Sequence, residues 1–245
     1  MKKARSSLKI LLLQIREQQK VRVEEHQSFA RYANLPTSQI DILNVFDTPT
    51  FSPDCLQGYD ALFIGGASEA SVLEPQTYPF IAPGIKLMQY CIDSGFPVFA
   101  SCFGYQWATL ALGGEVINDT ENYEMGTVPI LLTEQAREDR IFCDVPNGFQ
   151  AVSVHQQKVL TEPEGCIALA YTDMCRHAFK VANKPFWACQ FHPEVDKQTL
   201  IERLAVFKHK YTQGDDHYDQ VISQAKETPE SNDLIKKFVD RVLVG

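Results

Sequence analysis

The chain has 245 residues, 44% of them hydrophobic and 22% charged, with 23 basic against 31 acidic side chains and a formal net charge of −8. A chain of this length buries a substantial core as one large domain or two small ones, and the composition is that of an ordinary globular protein. The acidic balance excludes a general nucleic-acid binder, because no basic stripe is present to neutralise phosphates.

The N-terminus carries basic residues ahead of an apolar run. That run, residues 10–13, is too short for the core of a signal peptide, and Gln14 and Arg16 follow it without a small-residue cleavage site. It reads as a basic tail and a first β-strand over 8–14. No segment approaches the roughly 20 apolar residues that span a bilayer, so a cytoplasmic protein with no membrane partner is expected. Residues 21–33 form a mostly polar helix with Val23, Phe29 and Tyr32 recurring, stopped by Leu35-Pro36. A second strand is predicted over 40–46 and a third over 59–64, ending at Gly65-Gly66. A proline-punctuated stretch, 73–83, leads to a helix over 84–94 with Gly95 placed as its cap. A strand over 98–101 then runs into a helix over 104–112. Short apolar strands alternating with helices imply βαβ units and a parallel sheet covered on both faces.

From 115 to 181 the pattern changes to short β-rich pieces (127–132, 150–154, 166–172 and 178–181) separated by turns such as Pro146-Asn-Gly and Pro163-Glu-Gly. These read as a small antiparallel appendage. A further strand over 187–191 and a helix over 197–211 return to the parallel core. The tail, 212–245, is charged and helical in two pieces broken near Pro229. Ile235, Phe238, Val239 and Val242 share one apolar helical face that is expected to dock on the parent fold. No internal repeat or low-complexity linker is present. The expected architecture is an α/β three-layer, flavodoxin-like sheet in one domain over 1–245, with its core at about 8–211.

The seven cysteines (55, 91, 102, 143, 166, 175 and 189) are odd in number, irregularly spaced and without a CxxC pair. They suggest neither a disulfide framework nor a zinc cluster. The six histidines show no ligand spacing either, so no metal and no cofactor are expected. A nucleotide site after the first strand is rejected, since Gln14-Ile-Arg-Glu offers no glycine for a phosphate loop.

One cysteine has a distinctive setting. In Ala100-Ser-Cys-Phe-Gly104 a strand runs directly into a helix through a tight turn with small residues two before and two after Cys102. This is the pattern of a nucleophile elbow, which projects its apex side chain at the carboxyl edge of a sheet. A helix N-terminus there favours thiolate over thiol. The Phe103 N–H can face a developing oxyanion, and a second donor is available from Gly65-Gly66-Ala67. Farther on, a strand ends in His192-Pro193-Glu194. Pro193 restrains the backbone at His192, and Glu194 is near enough to orient the imidazole. A nucleophile, a base and a carboxylate that orients the base make a triad.

These segments resemble the class I glutamine amidotransferases, which use a Cys-His-Glu triad. The family's G-x-C-x-G-x-Q motif is similar to Ala100-Ser-Cys-Phe-Gly-Tyr-Gln106, continued by Ala111-Leu-Gly-Gly114. Its Q-F-H-P-E motif is matched letter for letter by residues 190–194, and its Gly-Gly oxyanion loop resembles Gly65-Gly66 followed by Ser71-Val72, as in the stand-alone, GMP-synthase-like members. The resemblance runs from about 8 to 211. It implies Cys102, His192 and Glu194 as catalytic residues, the N–H groups of Gly66 and Phe103 as the oxyanion hole, and Gln106 as a contact for glutamine. Val154-His155-Gln-Gln-Lys-Val159 resembles the family segment whose backbone holds the α-amino and α-carboxylate groups, which makes His155, Gln156 and Gln157 candidate substrate binders.

There are departures. Ala100 and Ser101 replace the usual glycine and aliphatic residue before the nucleophile, and a single methyl fits at Ala100 if φ there is negative. Cys189 stands where a small residue is usual. Gln156-Gln157 replace the common Gly-Asp after His155, which leaves the grip on the substrate's α-substituents open. The function implied first is glutamine hydrolysis through a Cys102 thioester, with the ammonia passing to a synthase or ligase on another polypeptide, since no phosphate loop is present. A stand-alone hydrolase of γ-glutamyl peptides or conjugates is the alternative, and a non-catalytic regulatory module is a third reading.

Overall fold

A computed structural model describes residues 3–207 and 215–244. The first half alternates as the apolar pattern predicts: β1 (Ile10–Gln14), α1 (Gln19–Ala33), β2 (Ile40–Asn44), β3 (Ala61–Ile64), α2 (Ile81–Ser94), β4 (Val98–Ser101) and α3 (Phe103–Ala111). There follow β5 (Ile117–Asn118), β6 (Glu124–Leu132), β7 (Phe149–His155), β8 (Gln157–Lys158), β9 (Cys166–Tyr171), β10 (Arg176–Val181) and β11 (Phe186–Cys189). The chain closes with α4 (Lys197–Val206), α5 (Asp215–Gln224) and α6 (Pro229–Phe238), the last widening into a π turn over Val239–Leu243.

One sheet of nine strands has the order β2-β1-β3-β4-β11-β10-β9-β6-β7. Its first five strands are mutually parallel, and their order is that of the flavodoxin-like doubly wound fold. The rest pair antiparallel. The antiparallel part is therefore larger and better integrated than the expected appendage, since four strands continue the parallel core as the same sheet. Only the β5–β8 ribbon stands apart, and its two-residue strands are too short to leave an alternating pattern in sequence.

β1, β3, β4 and β11 are buried along their whole length, as strands covered on both faces must be. Alternate residues divide between two cores. Ile10, Leu12, Phe63 and Phe99 pack with Phe29 of α1 and Phe238 of α6. Leu11, Leu13, Leu62 and Ile64 pack with Leu87 and Met88 of α2 and Trp107 of α3. The docking expected for the C-terminal apolar face is observed: Ile235, Phe238 and Val239 are fully buried, and the Phe238 ring meets Phe63, Phe99 and Trp187.

Element ends differ from the sequence reading for local reasons. Gly95 caps α2 in the left-handed region at φ 69°, as expected, but the helix begins at Ile81, with Pro83 in its first turn, where a missing N–H costs nothing. α1 ends at Asn34, which takes the left-handed cap at φ 52°. The tail is helical in two pieces with the break just before Pro229, as expected, and Pro229 opens α6 for the same first-turn reason. α4 is capped by Asp196, whose Oδ1 accepts the Thr199 N–H at 2.7 Å. It ends at Val206, with Phe207 at its cap, and residues 208–211 of the helix expected over 197–211 lie outside the described residues.

Register explains why the motifs meet. Ile64 pairs with Ala100, and Ser101 with Cys189, so β3, β4 and β11 finish side by side. The Gly65-Gly66 loop, Cys102 and the His192 turn therefore emerge at one carboxyl edge of the sheet, the edge where open α/β folds bind ligands.

Candidate active site

Cys102 is the N-cap of α3 and has φ 46° and ψ −95°, a left-handed backbone for a residue with a Cβ. Such a conformation costs on the order of 1–3 kcal/mol and persists only where the surroundings enforce it. They do so here. The Cys102 N–H donates to Cys189 O at 2.7 Å, and its carbonyl accepts the Gln106 N–H at 3.0 Å. Gly104 is required by close approach, since a Cβ there would lie 2.8 Å from Ile64. Ala100 is fully buried and is not among the positive-φ residues, so its methyl is accommodated in β4. The other cysteines differ in setting: burial pushes the thiols of Cys91, Cys166 and Cys175 up to about 12. All seven cysteines are free.

The turn after β11 places His192 beside Cys102. The His192 N–H donates to Val152 O at 2.8 Å, and its carbonyl accepts the Val195 N–H at 3.1 Å. Its Nδ1 lies 2.7 Å from Oε1 of the fully buried Glu194. Burial by itself would depress the imidazole. The Glu194 carboxylate and the neighbouring Cys102 outweigh it and lift the His192 pKa to about 9. For Glu194, burial is likewise outweighed, by the imidazolium and then by Arg203, and its carboxyl is held at about 2.

Sequence reasoning missed what surrounds this pair. Arg203 of α4 sets Nη1 3.6 Å from Glu194 Oε1 and Nε 2.6 Å from Glu24 Oε2, and it also approaches Glu25 at 4.0 Å. Glu25 is fully buried and paired with the equally buried Arg16 at 2.8 Å. A Cβ on Gly65 would strike Glu25 at 2.5 Å, and one on Gly66 would strike His192 Cε1 at 2.5 Å. One buried charge network thus runs beneath the glycine loop and the base together. Asn232 of α6 was missed as well. Its Nδ2 donates to Pro193 O at 2.8 Å and Val195 O at 3.0 Å, so the C-terminal helix grips the backbone of the His-Pro-Glu turn.

A cavity of about 480 Å³ opens over Cys102, with Phe103 and Gln106 on one side and His155, Gln156 and Gln157 on another. Gln106 Nε2 donates to Gln157 O at 3.2 Å and to Gln190 Oε1 at 3.4 Å. Gln190, which the sequence reading left without a role, donates to Cys102 Sγ at 3.6 Å. The Gln157 side chain bonds to the Ser71 hydroxyl. The His155 ring turns from the cavity to Glu124, at 3.1 Å, leaving its backbone for any substrate contact. Gly65 N–H is tied to Leu13 O at 3.4 Å, and Gly66 follows at the cavity's edge against His192. Phe103 begins α3, where a first-turn N–H has no acceptor within the helix. Among the described residues no helix is long and apolar enough to cross a membrane.

Comparison with known proteins places the chain in a family. The glutamine amidotransferase class-I family model matches residues 37–208, well over half of the chain. A subunit of the glutamine-hydrolyzing GMP synthase of Methanocaldococcus jannaschii is 36% identical over 119 residues, covering 46% of this chain and 61% of that protein. The glutamine-hydrolyzing GMP synthase of Pseudoalteromonas atlantica is 38% identical over 125 residues, 47% of this chain but 23% of the relative. The chain therefore matches about three fifths of the archaeal relative's length and under a quarter of the bacterial one. The crystal structure of a Thermotoga maritima glutamine amidotransferase superposes with a TM-score of 0.77 at 17% identity, covering 96% of this chain and 99% of that one. A glutamine amidotransferase from Methylobacillus flagellatus gives 0.71 at 16% identity, covering 95% and 93%. At such identities the superpositions speak for the fold. With the family model spanning both the Cys102 elbow and the His192-Pro-Glu turn, the chain belongs to the class I glutamine amidotransferases.

Proposed function

We propose that the chain is a glutaminase that releases ammonia from the γ-amide of glutamine through a thioester on Cys102. The observation that carries the reading is the left-handed Cys102 at a helix N-terminus, with His192 beside it and Glu194 2.7 Å from the imidazole.

The steps follow from the groups present. The Cys102 thiol gives its proton to His192 and its sulfur attacks the carbonyl carbon of the side-chain amide, whose oxygen becomes an oxyanion held by the N–H groups of Gly66 and Phe103. The His192 imidazolium gives its proton to the amide nitrogen, the C–N bond breaks, and ammonia leaves behind a γ-glutamyl thioester. Water then attacks the thioester carbon with His192 taking its proton, and collapse returns glutamate and the Cys102 sulfur. Glu194 holds the ring by Nδ1 and stabilises its charge in both halves. Gln106, Gln157 and the backbone at 155–157 would hold the amino-acid end of the substrate.

Two archaeal relatives are each named as one subunit of a glutamine-hydrolyzing GMP synthase. That naming supports an ammonia acceptor on a separate synthase or ligase polypeptide. The size of the cavity favours a second reading, hydrolysis of γ-glutamyl peptides or conjugates, because about 480 Å³ leaves room beyond a single amino acid.

Assay of the purified chain with glutamine and with γ-glutamyl dipeptides separates the two. Ammonia release from glutamine that is lost in Cys102→Ala, with a glutamine-analogue electrophile labelling Cys102, is the expected result. Robust dipeptide hydrolysis without glutamine turnover overturns the first reading in favour of the second. Absence of both activities and of labelling overturns both.

A further inference from the structure

The antiparallel half of the sheet holds a second cluster of reactive side chains that the triad does not use. Glu124 begins β6, His155 ends β7, Cys175 lies in the turn before β10, and His177 is on β10. All four are buried, and one donor atom of each lies within 4.8 Å of the others. His155 Nε2 is 3.1 Å and His177 Nε2 2.8 Å from the same oxygen, Glu124 Oε2. The second approach is close but out of line for a hydrogen bond. His177 is 0% exposed, and its Nε2 has no hydrogen-bond partner although it is aimed into the cluster.

We propose that Glu124, His155, Cys175 and His177 form a structural site for a divalent zinc ion. Two imidazoles, a thiolate and a carboxylate are the donors that zinc takes in tetrahedral sites, and calcium or magnesium would call for oxygen ligands instead. Bonds of about 2.0–2.3 Å to such donors put them roughly 3.3–3.6 Å apart. The nitrogens now 2.8 and 3.1 Å from Glu124 Oε2 spread by a few tenths of an ångström to admit the ion, while donor pairs as far apart as 4.8 Å close by up to about an ångström. One thiolate and one carboxylate balance its two charges, so the loaded site is neutral, which suits burial. An outer shell is already in place. Thr172 Oγ1 donates to Glu124 Oε1 at 2.6 Å and Ser153 Oγ to Oε2 at 3.0 Å, which orients the carboxylate. The ligands lie 31, 20 and 2 residues apart (155 − 124, 175 − 155 and 177 − 175), so no local spacing announces the site.

The position gives the site a purpose. It ties β6, β7 and β10 together immediately before Gln156 and Gln157, which line the cavity over Cys102. A bound ion would brace that wall. The proposal stands apart from the glutaminase reading, because loading is read without turnover.

The test uses the full chain stripped with a chelator and titrated with Co²⁺ as a spectroscopic stand-in. The expected result is about one Co²⁺ per chain, with thiolate-to-cobalt absorption that Zn²⁺ displaces. The absorption should vanish in Cys175→Ser and His177→Gln and persist in Cys102→Ser. Zinc should also raise the melting temperature of stripped Cys102→Ser protein by at least about 5 °C, a measurement that does not depend on the ligand variants folding. No thiolate band and no thermal shift, a band that survives Cys175→Ser, or one that requires Cys102 each overturns the proposal.

Discussion

Arg203 Nη1 lies 3.6 Å from Glu194 Oε1, the same oxygen that faces His192 Nδ1 at 2.7 Å. The carboxylate that holds the His192 ring is itself held by a guanidinium from α4, and burial of the whole group keeps the interaction from being screened by solvent. Arg203→Met should therefore leave Glu24 without its ion-pair partner and the buried Glu194 with His192 as its remaining counter-charge. The expected cost is about 3 kcal/mol of stability, since a buried guanidinium–carboxylate network is broken from one side. Urea unfolding checks this, and the acid-induced loss of structure should begin at higher pH than in the parent chain because Glu194 protonates more easily.

The pH dependence follows from the same pair. The folded pKa of His192, about 9, is above its ordinary 6.5. Its charge therefore stabilises the fold fully below about 6.5, and this is lost as pH rises through 9. Glu194, at about 2, lies below its ordinary 4.5. Its contribution is present above about 4.5 and is lost as pH falls through 2. The folded chain thus holds the ion pair between about 2 and 9, and its contribution to stability is full between about 4.5 and 6.5. On the proposed mechanism the imidazolium protonates the leaving ammonia, so kcat/KM for glutamine should fall above about pH 9. In Glu194→Gln that limb should move toward 6.5, which a pH–rate profile measures.

Gly66→Ala tests the closeness of loop and base. A Cβ there would stand 2.5 Å from His192 Cε1, and the ring is held by Glu194 and cannot swing away freely. Displacement of the imidazole should lower kcat about 100-fold. The melting temperature should fall only modestly if the clash is relieved at the ring, and a variant with unchanged kcat would contradict the geometry.

Cys102→Gly separates strain from chemistry. Glycine adopts φ 46° and ψ −95° without the Cβ conflict, so the fold should gain about 1 kcal/mol after the extra entropy of the unfolded chain is counted. Turnover should vanish. Thermal unfolding of the two chains side by side gives the sign.

Asn232→Ala removes the donor shared by Pro193 O and Val195 O. The Pro193 carbonyl loses its side-chain donor and the Val195 carbonyl keeps only the Thr228 hydroxyl at 3.4 Å, which should cost about 1–3 kcal/mol. A slackened His-Pro-Glu turn should also lower kcat more than it raises KM, because it disturbs the base rather than the cavity wall. Equal loss in a variant whose turn is unmoved, seen as an unshifted His192 titration by NMR, would sink that explanation.

The Cys102 elbow and the His-Pro-Glu turn were legible in sequence because each is a local device. Small residues around Cys102 and a proline after His192 restrict backbone within five residues, and that restriction shows in the letters. Glu25 shows the opposite case. In α1 it reads as part of a polar face, yet it is fully buried, because its partner Arg16 sits nine residues away (25 − 16) across a strand-to-helix turn. The contacts of Arg203, Asn232 and Gln190 were not legible for a similar reason: hydrogen-bond partners chosen across elements leave no period.

What the amino-acid order determined alone was the run of strands and helices, the strained nucleophile position and the histidine turn with its carboxylate, all set by sterics within a few residues. What the tertiary structure decided was which charges meet in the interior and what closes over the turn. Only folding brings Arg203 and Glu25 beneath the glycine loop, Asn232 onto the Pro193 carbonyl, and Glu124 between two imidazoles. Burial in a medium that screens poorly makes those meetings count, and burial is a property of the packed chain rather than of any segment of it.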